Sequence, residues 1–194
     1  MMNKPLYLFV GRSASGKTTV ADLLESQYGL KQVQSYTTRS QRYDGEIGHI
    51  FVSKEEFDNL GELAAYTFYN GYEYGTTFDQ LNKCSIYVID PAGVETLLER
   101  YHDRKIVIFY FDTSVYTRIN RMLDRGDSDM QIVSRLLQDE KMNWQTHLYD
   151  IALHSHADDD VVMRTIYADG YLDSVVNQIL EHMKQIEDKM IRLE

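Results

Sequence analysis

The sequence predicts an α/β fold, in which a parallel β-sheet is flanked by helices. Three apolar runs typical of buried strands occupy residues 6–10, 86–89 and 106–111. The helical patterns that follow these runs extend to Tyr28, over residues 94–101 and over residues 115–123. Because strands alternate with helices of this length, we expect parallel strands that helices cover on both faces.

Length and composition indicate an ordinary globular domain. The chain has 194 residues, of which 43% are hydrophobic and 26% charged, so it can bury a substantial core. Its formal net charge of −10 argues against nucleic acids and acidic membranes as partners, because both attract basic surfaces. The single cysteine, Cys84, excludes an internal disulfide and favours a reducing compartment. We therefore expect a cytoplasmic protein, either a monomer or a homodimer.

Residues 35–80 interrupt the alternation and predict an insertion beside the main sheet. The segment is rich in Tyr, Thr and Gly, with one short helix around residues 53–60, where Ser53 and Glu56 form a capping box. The pattern then predicts a mobile loop at 126–129, a helix at 130–144, a strand at 151–153 and a core-packing helix from Leu172 onward. The predicted core thus consists of residues 1–34 and 81–194.

The loop after the first strand matches the phosphate-loop pattern G-x-x-x-x-G-K-[ST] and precedes a predicted helix. Its backbone N–H groups and the helix dipole can surround phosphate oxygens. Lys17 adds a positive charge for the β- and γ-phosphates, and the Thr18 hydroxyl is placed to ligate Mg²⁺. A plain strand-to-helix turn would not need this lysine. The predicted nucleoside-triphosphate site comprises Gly11, Arg12, Ser13, Ala14, Ser15, Gly16, Lys17, Thr18 and Thr19.

Two stretches of the insertion predict a site for a second phosphate. Arg39 and Arg42 lie three residues apart among hydroxyl-bearing residues, and two guanidinium groups suit a phosphate dianion. Tyr74 and Thr76 supply further donors in a Gly-containing turn. Each stretch alone is typical of a polar surface, but a phosphate loop upstream favours a binding site.

Arginines are concentrated in a third region. Arg118, Arg121 and Arg125 follow helical spacing and so share one helix face, and Arg135 comes after the predicted loop. One interpretation is a solvated face paired with nearby aspartates. The other is a lid, at about residues 124–140, that closes on the transferring phosphate, because phosphoryl transfer depends on positioning and charge neutralisation. The concentration of arginines favours the lid.

These motifs together resemble the guanylate kinase family of P-loop nucleoside monophosphate kinases. The resemblance covers most of the chain and includes "GRSASGKTT", "SYTTRSQRYDGE", "FVSKEEF", "YGTT", "IDPAGV" and "RMLDRG". It implies a P-loop NTPase core, an inserted monophosphate-binding region and a mobile lid. It also implies that ATP, accompanied by Mg²⁺, phosphorylates GMP to yield ADP and GDP.

The resemblance implies a role for each matching residue. The acceptor phosphate would be bound by Ser35, Arg39, Arg42 and Tyr74. Guanine would be faced by Thr76 and Asp90. The catalytic cations around the transferring phosphate would be Lys17, Arg121, Arg125 and Arg135.

Several positions depart from the family pattern. Ala14 replaces a glycine of the loop, and Ala65 stands where the family has a carboxylate that reads guanine N1 and N2. His49 replaces a phosphate-binding tyrosine and is either a phosphate donor or a structural histidine. Ser155 stands where the family has an adenine-contacting asparagine. We therefore expect retained catalysis with weakened base reading, because such specificity needs every polar edge to be paired.

Three functions remain open at this stage. The leading one is an ATP-dependent kinase of a nucleoside monophosphate, with GMP or dGMP as acceptor. The second is a kinase of another phosphorylated acceptor such as ribose 1,5-bisphosphate; His49 followed by Ile favours it, whereas Arg42 and the Y-G-T turn argue against it. The third is a non-catalytic guanylate-kinase-like binding module, which intact Lys17 and Thr18 disfavour.

Overall fold

Eight strands and eight helices follow one another in the part of the chain that the structure, a computed structural model, describes: residues 4–41 and 44–192. In chain order they are β1 (Leu6–Gly11), α1 (Lys17–Tyr28), β2 (Ser35–Thr37), β3 (His49–Phe51), α2 (Lys54–Asp58), β4 (Leu63–Tyr69), β5 (Tyr72–Thr77), α3 (Phe78–Lys83), β6 (Ile86–Val88), α4 (Pro91–Arg100), β7 (Ile106–Asp112), α5 (Val115–Asp124), α6 (Asp129–Lys141), α7 (Trp144–Ala157), β8 (Val161–Tyr167) and α8 (Leu172–Arg192).

The main sheet has the strand order β6-β1-β7-β8, and all its pairings are parallel. Every residue of β1 is buried, because helices cover both faces of the sheet. Leu6, Leu8 and Val10 pack in one cluster with residues of α4 and α7. Tyr7 and Phe9 pack in a second cluster with residues of α1 and α8. The predicted α/β fold with a parallel sheet is confirmed.

The prediction of a late strand at residues 151–153 is wrong. These residues lie within α7, where Ile151 is buried against the core, and the last strand of the sheet is β8. An apolar run of three residues fits one helix face as well as a strand. Arg164, which is partly buried, and Thr165, which is exposed, interrupt the apolar pattern of β8. The strand was therefore not evident from the sequence.

The predicted helix over residues 130–144 is divided into two. Helix α6 ends at Lys141, and α7 begins at Trp144. Met142 and Asn143 lie between them. Asn143 has φ 46° and ψ 49°, a left-handed conformation that asparagine tolerates better than most residues. Ser128 caps the start of α6 through a capping box with Gln131.

A second sheet has the strand order β3-β2-β5-β4, and its four strands all lie within residues 35–77. Its short helix α2 begins at the predicted capping box, in which Ser53 Oγ accepts from Glu56 N and Glu56 Oε2 accepts from Ser53 N. Helix α4 packs against this sheet. Its Thr96 Oγ1 donates to the backbone oxygen of Tyr66 in β4 at 3.2 Å. The second sheet is thereby placed beside the carboxyl ends of β1 and β6. Its role as the acceptor-binding region remains a prediction.

Among residues 4–41 and 44–192, the helices include none that combines the length and the apolar character needed to cross a membrane.

Arg104 joins the start of β1 to the segment before β6. Its guanidinium donates to the carbonyl oxygens of Lys4, Pro5, Leu81 and Cys84 at 2.6 to 3.0 Å. We expect Arg104→Met to lower the free energy of unfolding by about 2 kcal/mol, because several charge-assisted hydrogen bonds are lost. Urea unfolding followed by circular dichroism measures the change.

The matched control is Arg100→Met. Arg100 is exposed and donates to a single backbone oxygen, that of Leu63, so we expect a loss of no more than about 0.5 kcal/mol. Equal losses in the two variants would contradict the role assigned to Arg104.

Candidate active site

The loop between β1 and α1 has the tight backbone geometry of a phosphate cradle. A Cβ on Gly11 would lie 2.8 Å from Ser15 Oγ and 3.0 Å from Phe111, so only glycine fits there. Gly16 has φ 99°, which glycine adopts without strain. Ala14 also has a positive φ, 60°, which is unfavourable for a residue with a Cβ. The loop therefore keeps a strained residue between its two glycines.

Lys17 is held within this loop. Its ammonium donates to the backbone oxygens of Gly11 and Arg12 and to Ser15 Oγ. Burial of the ammonium lowers the pKa of Lys17 to about 8, and the charge of Asp139 partly opposes this shift. The positive charge is thus positioned at the base of the cradle, where phosphate oxygens would meet it.

A cavity of about 550 Å³ lies between this loop and α5. It is lined by the loop from Ala14 to Thr19, where the side chains of Thr18 and Thr19 are exposed. Arg121 reaches across it to donate to the backbone oxygens of Ser15 at 3.0 Å and Ala168 at 2.6 Å. Arg125 also lines this cavity. The structure therefore brings two of the predicted lid arginines to the predicted triphosphate site.

The other predicted lid arginine is joined to Arg125 by a carboxylate. Asp127 accepts from the Arg125 guanidinium and lies 3.2 Å from Arg135 Nε. The hydrogen bond from Arg125 lowers the pKa of Asp127. In this conformation Arg125 and Arg135 are paired with an aspartate, as in the interpretation of a solvated face.

A second, smaller cleft of about 240 Å³ joins the loop to the second sheet. From the loop it is lined by Gly11, Ser13 and Lys17. Of the predicted acceptor residues, those that line it are Ser35, His49, Tyr74 and Asp90. Ser35 Oγ and His49 Nδ1 are 2.9 Å apart, and the His49 and Tyr74 rings are in edge contact. One cleft thus holds the loop lysine and four predicted acceptor residues.

Arg39 is not among the residues that line this cleft. Its guanidinium donates to both carboxylate oxygens of Glu46, at 2.8 and 3.1 Å, and to the backbone oxygen of Ser40. It also lies over the Phe51 ring, 5.2 Å from the centroid. A phosphate that binds the two terminal nitrogens of Arg39 would compete with Glu46 for them. Arg42 lies outside the described residues.

Of the residues predicted to face the base, only Asp90 lines the cleft. Thr76 is fully buried and donates to Gln80 Oε1, and Ala65, its partner across the β4–β5 hairpin, is in the core. Asp90 Oδ1 accepts from Gly93 N and Thr67 Oγ1, both at 3.0 Å, which caps α4. Burial raises the pKa of Asp90.

A cavity of about 810 Å³ between the β4–β5 hairpin and α6 was missed by the sequence analysis. Its apolar lining includes Phe68, Met130, Val133 and Leu137, all strongly exposed. It shares Asp90 and further residues with the small cleft. Helix α6 buries Ile132, whereas Val133 and Leu137 line the cavity.

Two further positions complete the comparison with the expectations. The Ser155 hydroxyl donates to the backbone oxygen of Ala152 within α7 and gives no contact with the triphosphate cavity. Asp139, which the sequence analysis did not select, lines the small cleft and is 4% exposed. An acid four residues after Arg135 on a helix resembles an ordinary surface pair, so the sequence held no signal for its burial.

A parallel sheet whose central strand leads through a lysine-bearing glycine loop into a helix is the arrangement of the P-loop NTPase fold. A crystal structure of guanylate kinase from Anaplasma phagocytophilum has this fold, with a TM-score of 0.55 and 18% identity over 95% of this chain and 87% of that one.

Two curated relatives carry the name guanylate kinase. The protein of Porphyromonas gingivalis is 27% identical over 172 residues, which cover 81% of this chain and 90% of the relative. That of Bartonella quintana is 28% identical over 159 residues, covering 74% of this chain and 72% of the relative. No family model matches the chain. The similarities support a divergent member of the guanylate kinase family.

The lowered pKa of Lys17 predicts a specific dependence of stability on pH. Between about pH 8 and 10.5 the unfolded chain binds a proton at Lys17 that the folded protein has released, so this group makes stability rise with pH. We expect the stability of the wild type relative to Lys17→Met to increase by about 1 to 2 kcal/mol from pH 7.5 to 9.5.

Urea unfolding of both proteins over this range, without nucleotide, measures the difference. Since the comparison cancels the titration of tyrosines common to both proteins, a difference that stays constant with pH would contradict the position assigned to the ammonium.

Proposed function

We propose that the protein transfers the γ-phosphate of ATP to the phosphate of a nucleoside monophosphate, with GMP or dGMP as the first candidate acceptor. The observation that carries this proposal is the cleft in which Lys17 of the loop meets Ser35, His49 and Tyr74 of the second sheet. The relatives named guanylate kinase support the same reaction at the level of the family.

The chemistry would be a direct transfer without a covalent enzyme intermediate. An oxygen of the acceptor phosphate attacks the γ-phosphorus, the bond to the β–γ bridging oxygen breaks, and ADP leaves. Lys17 and Arg121 would neutralise charge on the ATP side. Ser35, His49 and Tyr74 would hold the acceptor in line.

Arg125 and Arg135 would join the site when the lid closes. Both now bind Asp127, so phosphate oxygens would replace a carboxylate as their partner. The same exchange would apply to Arg39 and Glu46. Closure of the lid and of the second sheet would therefore be driven by phosphates that outcompete protein carboxylates.

The residues at the start of α1 fit a Mg²⁺ ion that arrives with ATP. The Thr18 side chain is exposed in the first turn of the helix, and a hydroxyl with phosphate and water oxygens is the hard oxygen set that Mg²⁺ prefers. Bound Mg²⁺ would neutralise charge on the β- and γ-phosphates.

We further propose that this protein discriminates between bases less strictly than a site with two base-reading carboxylates would. Of the two carboxylates at the cleft, Asp139 is bound by Arg118 and Ser13, and Asp90 remains for the base, although one of its oxygens caps α4. Ala65 and Thr76 are buried away from any ligand in this conformation. The apolar lining of the adjacent large cavity offers a base contact area without hydrogen-bond selectivity.

The decisive test is ADP release from Mg-ATP with a panel of acceptors: GMP, dGMP, AMP, UMP, CMP and ribose 1,5-bisphosphate. We expect activity with GMP or dGMP and a preference over the other nucleotides smaller than about a hundredfold, because one base-reading carboxylate is missing. Activity with the bisphosphate alone would replace this function by the second one, and activity with none would support a binding module.

Lys17→Met provides the mechanistic control for the panel. We expect it to reduce turnover of the preferred acceptor at least a hundredfold, by analogy with the loss of one preorganised transition-state donor. Lys184→Met, which changes a lysine of α8 that the site does not use, should retain full turnover. Undiminished turnover in Lys17→Met would show that the loop does not bind the transferring phosphate.

A further inference from the structure

A buried ion pair lies behind the tip of the phosphate loop. Arg118 of α5 and Asp139 of α6 are 2% and 4% exposed, and Arg118 Nη1 donates to Asp139 Oδ2 at 2.6 Å. Arg118 and Asp139 lie 105 and 126 positions after Ser13 of the loop in the sequence. Burial of two charges has to be repaid by good geometry and by further hydrogen bonds.

The further hydrogen bonds come from Ser13 of the loop. Its backbone N–H points at both oxygens of Asp139, at 3.1 and 3.2 Å, and its hydroxyl donates to Oδ1 at 3.0 Å. Arg118 Nη1 also approaches the backbone oxygen of Ser13 at 3.5 Å. Ser13 is therefore held on its N–H, hydroxyl and carbonyl groups by α5 and α6.

The hydrogen bonds that hold Ser13 come directly before Ala14, the strained residue of the loop. Ala14 keeps φ 60°, a conformation that persists only where the surroundings enforce it. On one side Ser13 is fixed by Asp139, and on the other Ser15 is fixed by its N–H bond to the Arg12 backbone oxygen and by Arg121. The direction of the N–H groups that follow Ser13 thus depends on both anchors.

The charges of the pair also balance each other next to Lys17. The carboxylate of Asp139 attracts the ammonium and the guanidinium of Arg118 repels it. An isolated Asp139 would oppose an incoming triphosphate, and an isolated Arg118 would be a buried unpaired cation. As a pair they can hold the loop while adding little net charge to the cradle.

We propose that Arg118 and Asp139 are positioning residues for ATP, which fix Ser13 so that the N–H groups after it face the phosphates. They act through the loop. The proposal rests on the proposed function only in taking this loop as the ATP site. The same contact would be the pivot of the lid. The end of α6 that carries Asp139 would stay attached to the loop, while the segment from Arg125 to Arg135 moves.

The test is the double variant Arg118→Met/Asp139→Leu. Replacing a buried ion pair by apolar side chains is often neutral or stabilising, so we expect a melting temperature within a few degrees of the wild type. Ser13 nevertheless loses its acceptor. We expect the Kd for Mg-ATP, measured by calorimetry, and the KM for ATP to rise at least tenfold, with the acceptor KM changed less than threefold.

Ser13→Ala separates the hydroxyl from the backbone N–H. It removes the hydroxyl but keeps the backbone N–H bonded to Asp139, so we expect a smaller rise in the Kd for Mg-ATP than in the double variant. Lys184→Met, which changes an exposed side chain of α8, is the control and should bind Mg-ATP as the wild type does. The chain has one tryptophan, Trp144, and the Arg12 Cζ of the loop lies 5.8 Å from the centroid of its ring. The fluorescence of Trp144 therefore reports whether the loop has moved in the absence of ATP. We expect a changed emission in the double variant alone.

A double variant with wild-type stability and wild-type ATP affinity would overturn the proposal. The ion pair would then have no role in ATP binding. If the double variant does not melt cooperatively, the alternative apolar pair Arg118→Leu/Asp139→Met decides by the same criterion, since it also removes both acceptor oxygens of Ser13. A wild-type protein that binds no ATP would instead defeat the proposed function, so the two failures are distinguishable.

Discussion

The packing around β1 is the constraint on which the rest of the structure depends. This strand is buried on both faces and paired on both edges, by β6 and β7. The chain must leave the sheet at Gly11, where the close approach of Phe111 excludes any side chain. The loop, the N-terminus of α1 and the ends of the neighbouring strands therefore meet at the carboxyl edge of the sheet, as in other parallel α/β proteins.

At this edge the cationic groups that the structure describes have intramolecular partners. Lys17 binds loop carbonyl oxygens, Arg39 binds Glu46, and Asp127 links Arg125 to Arg135. A chain with a net charge of −10 can thus pair three of these arginines with carboxylates. In the proposed reaction a phosphate that binds Arg39, Arg125 or Arg135 would replace a carboxylate as their partner. Such an exchange couples ligand binding to rearrangement of the segments that carry those carboxylates.

The sequence predicted the features that arise from local patterns. The strand–loop–helix unit at Gly11 to Thr18 and the capping box at Ser53 follow from residues only a few positions apart. The features it missed depend on distant residues. Asp139 reaches Ser13 across 126 positions, and nothing near Asp139 indicates a buried partner. Glu46 could have been recognised as a partner of Arg39 by proximity, but not as one that accepts from both terminal nitrogens of the guanidinium.

Asp90 gives one carboxyl group two roles. It caps α4, the helix on which the second sheet rests through Thr96 and Tyr66, and it borders the cleft. A molecule that binds Oδ1 from the cleft would compete with the end of the helix for the same lone pairs. Tighter binding at that oxygen would therefore weaken the support of the second sheet.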